Sequence, residues 1–375
     1  MDGAPGGTAL DELLADLRID TAGTLATQAN GAGWPVPVEG GYLFVTDNPA
    51  FGLIAGDHDS WQGTALLRDA GFQWIVLAVP PGSRYKFTDL TDWQADPWSR
   101  AYEWDEFGLM SMVPPTGAHL ERFFEQRSGG LAARTVRVWV PEGPASHVLY
   151  VHDGQNLFNP DAFFGGWHLH ESAPAGMMLV GIDNTPDRID EYTHVPDDPF
   201  GTGYVGGLGD DYANFVHYDV RALIEEHYGE PPRVGVMGSS LGGLISFHIA
   251  DRFPGEYDFA ASLSGTMGWG SIAVGVTNET MIERYATAGH RSTALYLDSG
   301  GGGMCADNDG DGIMDDAVDG ADNYCENLQL RDVLSGAGYR PGVDLWHWYE
   351  AGALHNEAAW RDRVWRPLES FAGLP

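Results

Sequence analysis

The residues best suited to chemistry are a serine, a histidine and a set of aspartates, all in the second half of the 375-residue chain. The serine stands in Gly238-Ser-Ser-Leu-Gly242, where Gly238 and Gly242 flank Ser240 in a G-x-S-x-G pattern. A serine on a sharp strand-to-helix turn of this kind exposes its hydroxyl above the sheet. The helix that follows turns its free amides toward developing negative charge. Such a serine acts as a nucleophile once a base takes its proton. The base in this arrangement comes later in the chain. His355 fits, within Glu350-Ala-Gly-Ala-Leu-His-Asn-Glu357. His347 alternates with Trp346 and Trp348 inside a strand-like run, and His290 reads as a surface residue. Two backbone amides are needed for the oxyanion. The amide of Leu241, next after the serine, is one. Gln155, in Val151-His-Asp-Gly-Gln-Asn-Leu-Phe158, is the candidate for the other. His152 and Asp153 precede the serine and are read as shaping that loop.

The elements around these residues have the right periodicity. Val234 and Val236 lead into the serine as a short β run, and Leu244, Ile245, Phe247 and Ile249 follow it at helical spacing. Val148–Val151, Met177–Ile182, Phe259–Ser264, Thr293–Leu297 and 343–349 read as buried strands, alternating with helices near 212–228, 326–336 and 357–372. Alternation of this kind predicts an α/β fold with a mostly parallel sheet covered on both faces. Before Pro114 the pattern differs. Short β runs separated by turns (Tyr42–Val45, Phe51–Ile54, Trp74–Ala78, Tyr85–Phe87) predict a small all-β sandwich over 31–113. Residues 1–30 read as a tail or docking segment, with one amphipathic stretch around Leu10–Ile19.

Both parts resemble known families. From about Gly117 the chain resembles the esterase family that includes enterochelin esterase, feruloyl esterases and esterase D. The matching stretches are Arg134–Pro141, His152-Asp-Gly-Gln-Asn-Leu-Phe158, Gly181-Ile-Asp-Asn184 with Arg188–Thr193, Gly238–Gly243 and Leu354–Trp360. The resemblance implies an α/β-hydrolase over 114–375 that acts on esters through an acyl-serine. Arg188 and Glu191 match a family motif near the acyl pocket, and read equally well as a structural ion pair. The segment 31–113 resembles the early-set, Ig-like N-terminal domain of glycogen-branching and debranching enzymes, on Ala55–Gln62, Pro80–Phe87, Trp93 with Asp96-Pro97, and Gly108–Val113.

The acid is where the chain departs from that family, whose members carry it shortly beyond a Gly that ends the penultimate strand. Here Asp298-Ser-Gly300 is followed by an insertion over 301–325. Asp322 restores the spacing after it, and Asp298 on the strand end is the alternative acid. Within the insertion, Asp307-Asn-Asp-Gly-Asp-Gly-Ile-Met-Asp315 offers oxygens at calcium-loop positions 1, 3, 5, 7 and 9, from Asp307, Asp309, Asp311, the Ile313 carbonyl and Asp315. Position 12 is Val318, so the loop is not an EF-hand. It resembles a thrombospondin type 3 calcium repeat, completed by Asp319 or Asp322. Cys305 and Cys325 bracket the insertion as a plausible disulfide.

The formal net charge of −34 argues against nucleic acid and anionic lipid as partners. No apolar run is long enough to cross a membrane. A disulfide and a calcium loop imply a secreted or periplasmic protein; no signal peptide is visible in the opening Met1-Asp-Gly-Ala-Pro, which reads as a mature start behind an added methionine. The expectation is a serine esterase with structural calcium and no organic cofactor, acting on a small-molecule ester or an esterified polysaccharide. An acyltransferase on the same scaffold and a non-catalytic carbohydrate-binding module are the alternatives. Oligomeric state is not legible.

Overall fold

The computed structural model describes residues 9–316 and 321–374. The chain divides into two compact units. One contains the residues up to Phe124 together with Val138–Gly143; the other contains Glu125–Arg137 and the chain from Pro144 onward.

The first unit holds two antiparallel ladders. Val36–Val38, Gly41–Thr46, Gln73–Leu77 and Leu67–Arg68 form one. Leu53–Gly56, Arg84–Thr88, Gly108–Met112 and Ala101–Asp105 run side by side in the other. Side chains alternate across a strand. Phe44 accordingly joins Ile54, Tyr85 and Phe87 on one face, while Leu43 and Val45 join Leu14, Leu17, Leu25, Ala29 and Trp34 on the other. The helices on that second face precede the predicted 31–113 β segment and lie in the stretch read as a tail or docking segment. Ala9–Ile19 and Thr21–Asn30 are both helices, and their apolar sides complete the core. The Gly/Ala/Thr-rich stretch is helical because Asp20 caps it, accepting the Gly23 amide at 3.0 Å. Leu25 and Ala29, one turn apart, then face inward together.

The second unit is built on a sheet in the order Leu345–Tyr349, Ala294–Ser299, Phe259–Leu263, Arg233–Ser239, His147–His152 and Met177–Ile182, followed by residues 134–137 of one further strand. Its first six strands pair in parallel. Met177–Ile182, Phe259–Leu263 and Ala294–Ser299 are buried at every position, as strands covered on both faces must be. Helices at 209–228, Leu241–Arg252, Met281–Ala288, Tyr324–Ala337 and Trp365–Ala372 supply the cover. From His147–His152 the chain moves to one neighbour, Met177–Ile182, and then crosses to the other, Arg233–Ser239. Such a reversal opens a crevice at the carboxyl ends of the strands. The loop after His152 and the turn after Ser239 both open there. Among the described residues no helix is long and apolar enough to cross a membrane.

Candidate active site

Ser240 takes φ 56° and ψ −125°, a conformation that non-glycine residues adopt only under constraint. Its amide donates to the Leu263 carbonyl at 3.0 Å, and its carbonyl accepts from Gly243 at 2.9 Å and Leu244 at 3.2 Å. The turn also demands bare backbone at Gly238. A Cβ there would stand 2.5 Å from the Gly242 carbonyl carbon. The helix Leu241–Arg252 starts immediately afterward and is buried from Leu241 through Ala250. The amide of Leu241 has no acceptor among the described residues.

The loop after His152 lies against this turn, where a Cβ on Gly242 would reach within 3.4 Å of both the Asp153 carboxylate and the His152 Cβ. Gln155 sits in the short 3-10 turn Gly154–Asn156. Its side-chain Oε1 accepts the Asn184 amide at 3.0 Å, and its own amide has no acceptor among the described residues. Asp153 is held in the left-handed region at φ 61°. Arg188 grips its carboxylate with two bonds, at 2.7 and 2.8 Å, and the Asn184 side chain adds a third at 2.6 Å. Burial pushes the Asp153 carboxyl up, but Arg188 outweighs burial and holds it below the usual range. His152 is buried, bonded to the Tyr212 hydroxyl at 2.9 Å, and burial lowers its pKa to about 3, so it stays neutral. Arg188 and Glu191 do not pair with each other. Glu191 instead takes both guanidinium nitrogens of Arg134, at 2.7 and 2.8 Å, in full burial.

His355 lies between the strand Leu345–Tyr349 and the helix Glu357–Arg361, whose N-cap is Asn356. Its Nδ1 meets Asp322 Oδ1 at 2.6 Å, with the histidine side chain 34% exposed and the aspartate fully buried. The edge of Trp360 packs against the imidazole at 5.0 Å between centroids. The other oxygen of Asp322 accepts the Ser264 hydroxyl at 2.7 Å and the Gly300 amide. Asp298 has a different partner: its Oδ1 accepts Arg363 Nε at 3.0 Å. Of the two aspartates, the structure therefore brings Asp322 and not Asp298 to the histidine. Among the described residues His355 is bonded to Asp322, and no hydrogen bond joins the Ser240 hydroxyl to His355. Nucleophile–base bonds are commonly loose until substrate binds.

The family model described as "Putative esterase" matches residues 132–366. The chain belongs to this esterase family. The enterobactin esterase FES from Shigella flexneri, solved in the presence of 2,3-di-hydroxy-N-benzoyl-serine, superposes with a TM-score of 0.50 at 14% identity, over 87% of this chain and 91% of that one. An IroE-like serine hydrolase from Shewanella oneidensis gives a TM-score of 0.50 at 18% identity, over 67% of this chain and 78% of that one. These likenesses establish the fold, an α/β-hydrolase. The uncharacterized protein YbbA of Bacillus subtilis is 30% identical over 130 residues, 33% of this chain. The chain spans about half, 52%, of that curated relative's length.

This esterase-family chain carries its insertion between the two aspartates. Cys305 and Cys325 are disulfide-bonded, with Cα atoms 5.4 Å apart. Carboxylate oxygens of Asp307, Asp309 and Asp311 converge within 4.8 Å of one another. Asp307 accepts the Gly310 amide at 2.7 Å and the Gly312 amide at 3.1 Å, while Asp315 accepts Asn308 at 2.8 Å. Ile313 is buried, and its amide donates to Asp311 at 2.7 Å. Asp319 lies outside the described residues. Asp322 does not complete this cluster, because both of its oxygens are committed elsewhere. Asp316 anchors the insertion by accepting the Tyr324 and Cys325 amides at 3.0 and 2.6 Å, at the start of the helix Tyr324–Ala337.

Two residues of the site escape a sequence reading. Ser264 looks like the end of an apolar strand, yet its hydroxyl is shared by Asp322, Arg363 and Trp360. Arg363 looks like one more charge on the last helices. The signal for it was present: Trp360, Val364, Leu368 and Phe371 are all buried, and Arg363 falls on that inward side. A charge on an inward face requires a buried counter-charge.

Proposed function

We propose that the protein is a serine carboxylic-ester hydrolase working through an acyl-serine, with Ser240 as nucleophile, His355 as base and Asp322 as acid. The observation that carries this reading is the 2.6 Å bond between His355 and a fully buried Asp322, in a unit that also holds Ser240 at φ 56°. His355 Nε2 takes the Ser240 proton as Oγ attacks the ester carbonyl. The oxyanion rests on the Leu241 and Gln155 amides. His355 then passes the proton to the departing alcohol, and water releases the acyl group by the same steps in reverse. Asp322 holds the Nδ1–H tautomer and steadies the imidazolium.

The substrate we infer is a small-molecule ester of the feruloyl or catecholate type, supported by family membership; an esterified polysaccharide is the wider possibility. Support for a secreted or periplasmic location is the Cys305–Cys325 disulfide. We read the acidic insertion as a structural calcium site using Asp307, Asp309, Asp311, the Ile313 carbonyl and Asp315, with Asp319. The antiparallel ladders of the first unit are compatible with an Ig-like early-set domain carrying added helices.

The test is hydrolysis of p-nitrophenyl acetate with no acceptor other than water. Replacing Ser240 by Ala is expected to lower kcat by about 10⁶-fold, as in other serine hydrolases, and to abolish labelling by an organofluorophosphonate. A Ser240→Ala protein that keeps its turnover overturns the reading. Turnover that appears only when a sugar acceptor is added would transfer it to an acyltransferase.

A further inference from the structure

Behind Asp322 lies a buried polar cluster that the reaction as written does not use. Arg363 is 2% exposed and stands between two aspartates. Its Nε donates to Asp298 at 3.0 Å, its Nη2 lies 3.5 Å from Asp322, and the same Nη2 donates to Ser264 at 2.7 Å. Its Nη1 donates to the Ala359 carbonyl at 3.1 Å, which ties the guanidinium to the helix Glu357–Arg361 that follows His355. Ser264 passes the contact on. Its hydroxyl donates to Asp322 at 2.7 Å while accepting from Arg363 and from Trp360 Nε1 at 3.1 Å, and Trp360 is the ring against His355. Asp298 is held from its other side by the Tyr296 hydroxyl at 3.0 Å, and its carbonyl accepts the Ser264 amide at 2.9 Å.

One guanidinium thus serves two buried carboxylates. If it faced Asp322 alone, it would compensate that charge fully, and Asp322 would have less negative potential to offer an imidazolium. If it were absent, two buried carboxylates would repel each other. Asp298 draws part of the guanidinium's charge away and fixes its plane.

We propose that Asp298 and Arg363 are positioning residues for the esterase reaction, acting through Ser264 and Asp322 to set the orientation and basicity of His355. The proposal rests on the reading of Ser240, His355 and Asp322 as the reacting set. The charged and titratable groups that face the cluster are His355, Asp322, Asp298, Arg363 and Tyr296, with Arg366 farther out beyond Tyr296. Burial, opposed by Arg363 and Tyr296 and reinforced by Asp322, raises the Asp298 carboxyl to about 6.

The experiment is the pH dependence of kcat/KM on p-nitrophenyl acetate for Asp298→Asn, Arg363→Met, Arg363→Lys and Ser240→Ala, with thermal melts to identify folded variants. Asp298→Asn leaves the guanidinium to Asp322 alone. It is expected to lower kcat roughly tenfold, as small misplacements of a catalytic group do, with KM little changed and the acid limb of the profile moved to lower pH. Arg363→Met is expected to move that limb to higher pH, and Arg363→Lys to recover part of the loss. If Arg363→Met does not fold, Asp298→Asn and Arg363→Lys decide the matter. A folded Asp298→Asn with the parental kcat and profile, beside an inactive Ser240→Ala, overturns the positioning role alone. An active Ser240→Ala overturns the reading of the site together with the role built on it.

Discussion

Two groups of aspartates meet at the same disulfide-closed insertion, one inside it and one joining its end to the strand before it, and they are built in opposite ways. Asp298 and Asp322 are fully buried and share one guanidinium; Asp298 adds the Tyr296 hydroxyl, and Asp322 adds His355 and the Ser264 hydroxyl. Asp307 and Asp309 are exposed and Asp311 is half-buried; their carboxylates converge on one another, and their hydrogen bonds come mainly from amides of their own loop. Burying a carboxylate is tolerable only with compensation, so each member of the first pair has a defined partner and a fixed geometry. Converging exposed carboxylates repel one another, and a cation from solution would relieve that repulsion. Residue type is the same in both places. Burial and the source of the counter-charge separate a group suited to orienting a histidine from one suited to holding a metal.

The sharpest test of that contrast exchanges charge for amide in each group. Asp322→Asn is expected to lower kcat by about 10⁴-fold, because an amide favours the wrong histidine tautomer. Asp309→Asn is expected to leave kcat unchanged and to lower only the melting temperature. Measured together on p-nitrophenyl acetate, a large kcat loss in Asp309→Asn would erase the distinction.

The disulfide comes next. It closes a loop of sequence separation 20 that joins the two groups. A loop of this size constrains the unfolded chain by about 3 kcal/mol. The Cys305→Ser/Cys325→Ser protein should therefore melt lower by roughly 2–4 °C for each kcal/mol lost. An unchanged melting curve would mean that the bridge does not constrain the chain.

Calcium follows closely. A site half-filled by amides should gain from a cation, and ligand at a hundredfold excess over Kd adds about 2.7 kcal/mol. Chelation is expected to lower the melting temperature of the parent protein, and to do nothing to Asp309→Asn. Equal curves for the parent with and without chelator would remove calcium from the account and leave a solvated acidic loop.

The same contrast explains how far the sequence could be read. The glycines around Ser240, the β run before it and the apolar helix after it are local signals, and the structure has that strand, turn and helix. His355 was recognisable from its place between the last strand and the following helix. The acid was legible only narrowly: the insertion interrupts the spacing by which relatives mark it, Asp322 restores that spacing, and Asp298 stays as the alternative. Only three-dimensional pairing distinguishes Asp322 from Asp298. Arg363 and Ser264 were missed for a related reason: their partners lie 65 and 58 residues away in sequence. In the first unit, Thr21–Asn30 was underrated because its helix depends on one cap, Asp20, and two inward residues, Leu25 and Ala29, rather than on strong propensity.

The smallest effect expected lies in the pH dependence of stability, and it again separates the groups. Burial raises Asp298 to about 6 in the folded protein, above the ordinary value of 3.8. The folded state therefore keeps a proton there that the unfolded chain has already released. The stabilising contribution is complete below the unfolded pKa and is lost as pH rises through the folded one. From about pH 4 to about pH 6, stability should decline with a slope of at most about 1.4 kcal/mol per pH unit from this group. Asp298→Asn removes the titration, so the urea midpoint of that variant should vary less across the same window. The decline should persist in Asp309→Asn, which leaves the partners of Asp298 untouched. A parent protein whose midpoint rises from pH 4 to 6 as steeply as that of Asp298→Asn would show that Arg363 holds Asp298 ionised throughout. The pair would then be a permanent ion pair, and the tuning of Asp322 by Asp298 would have to be independent of pH.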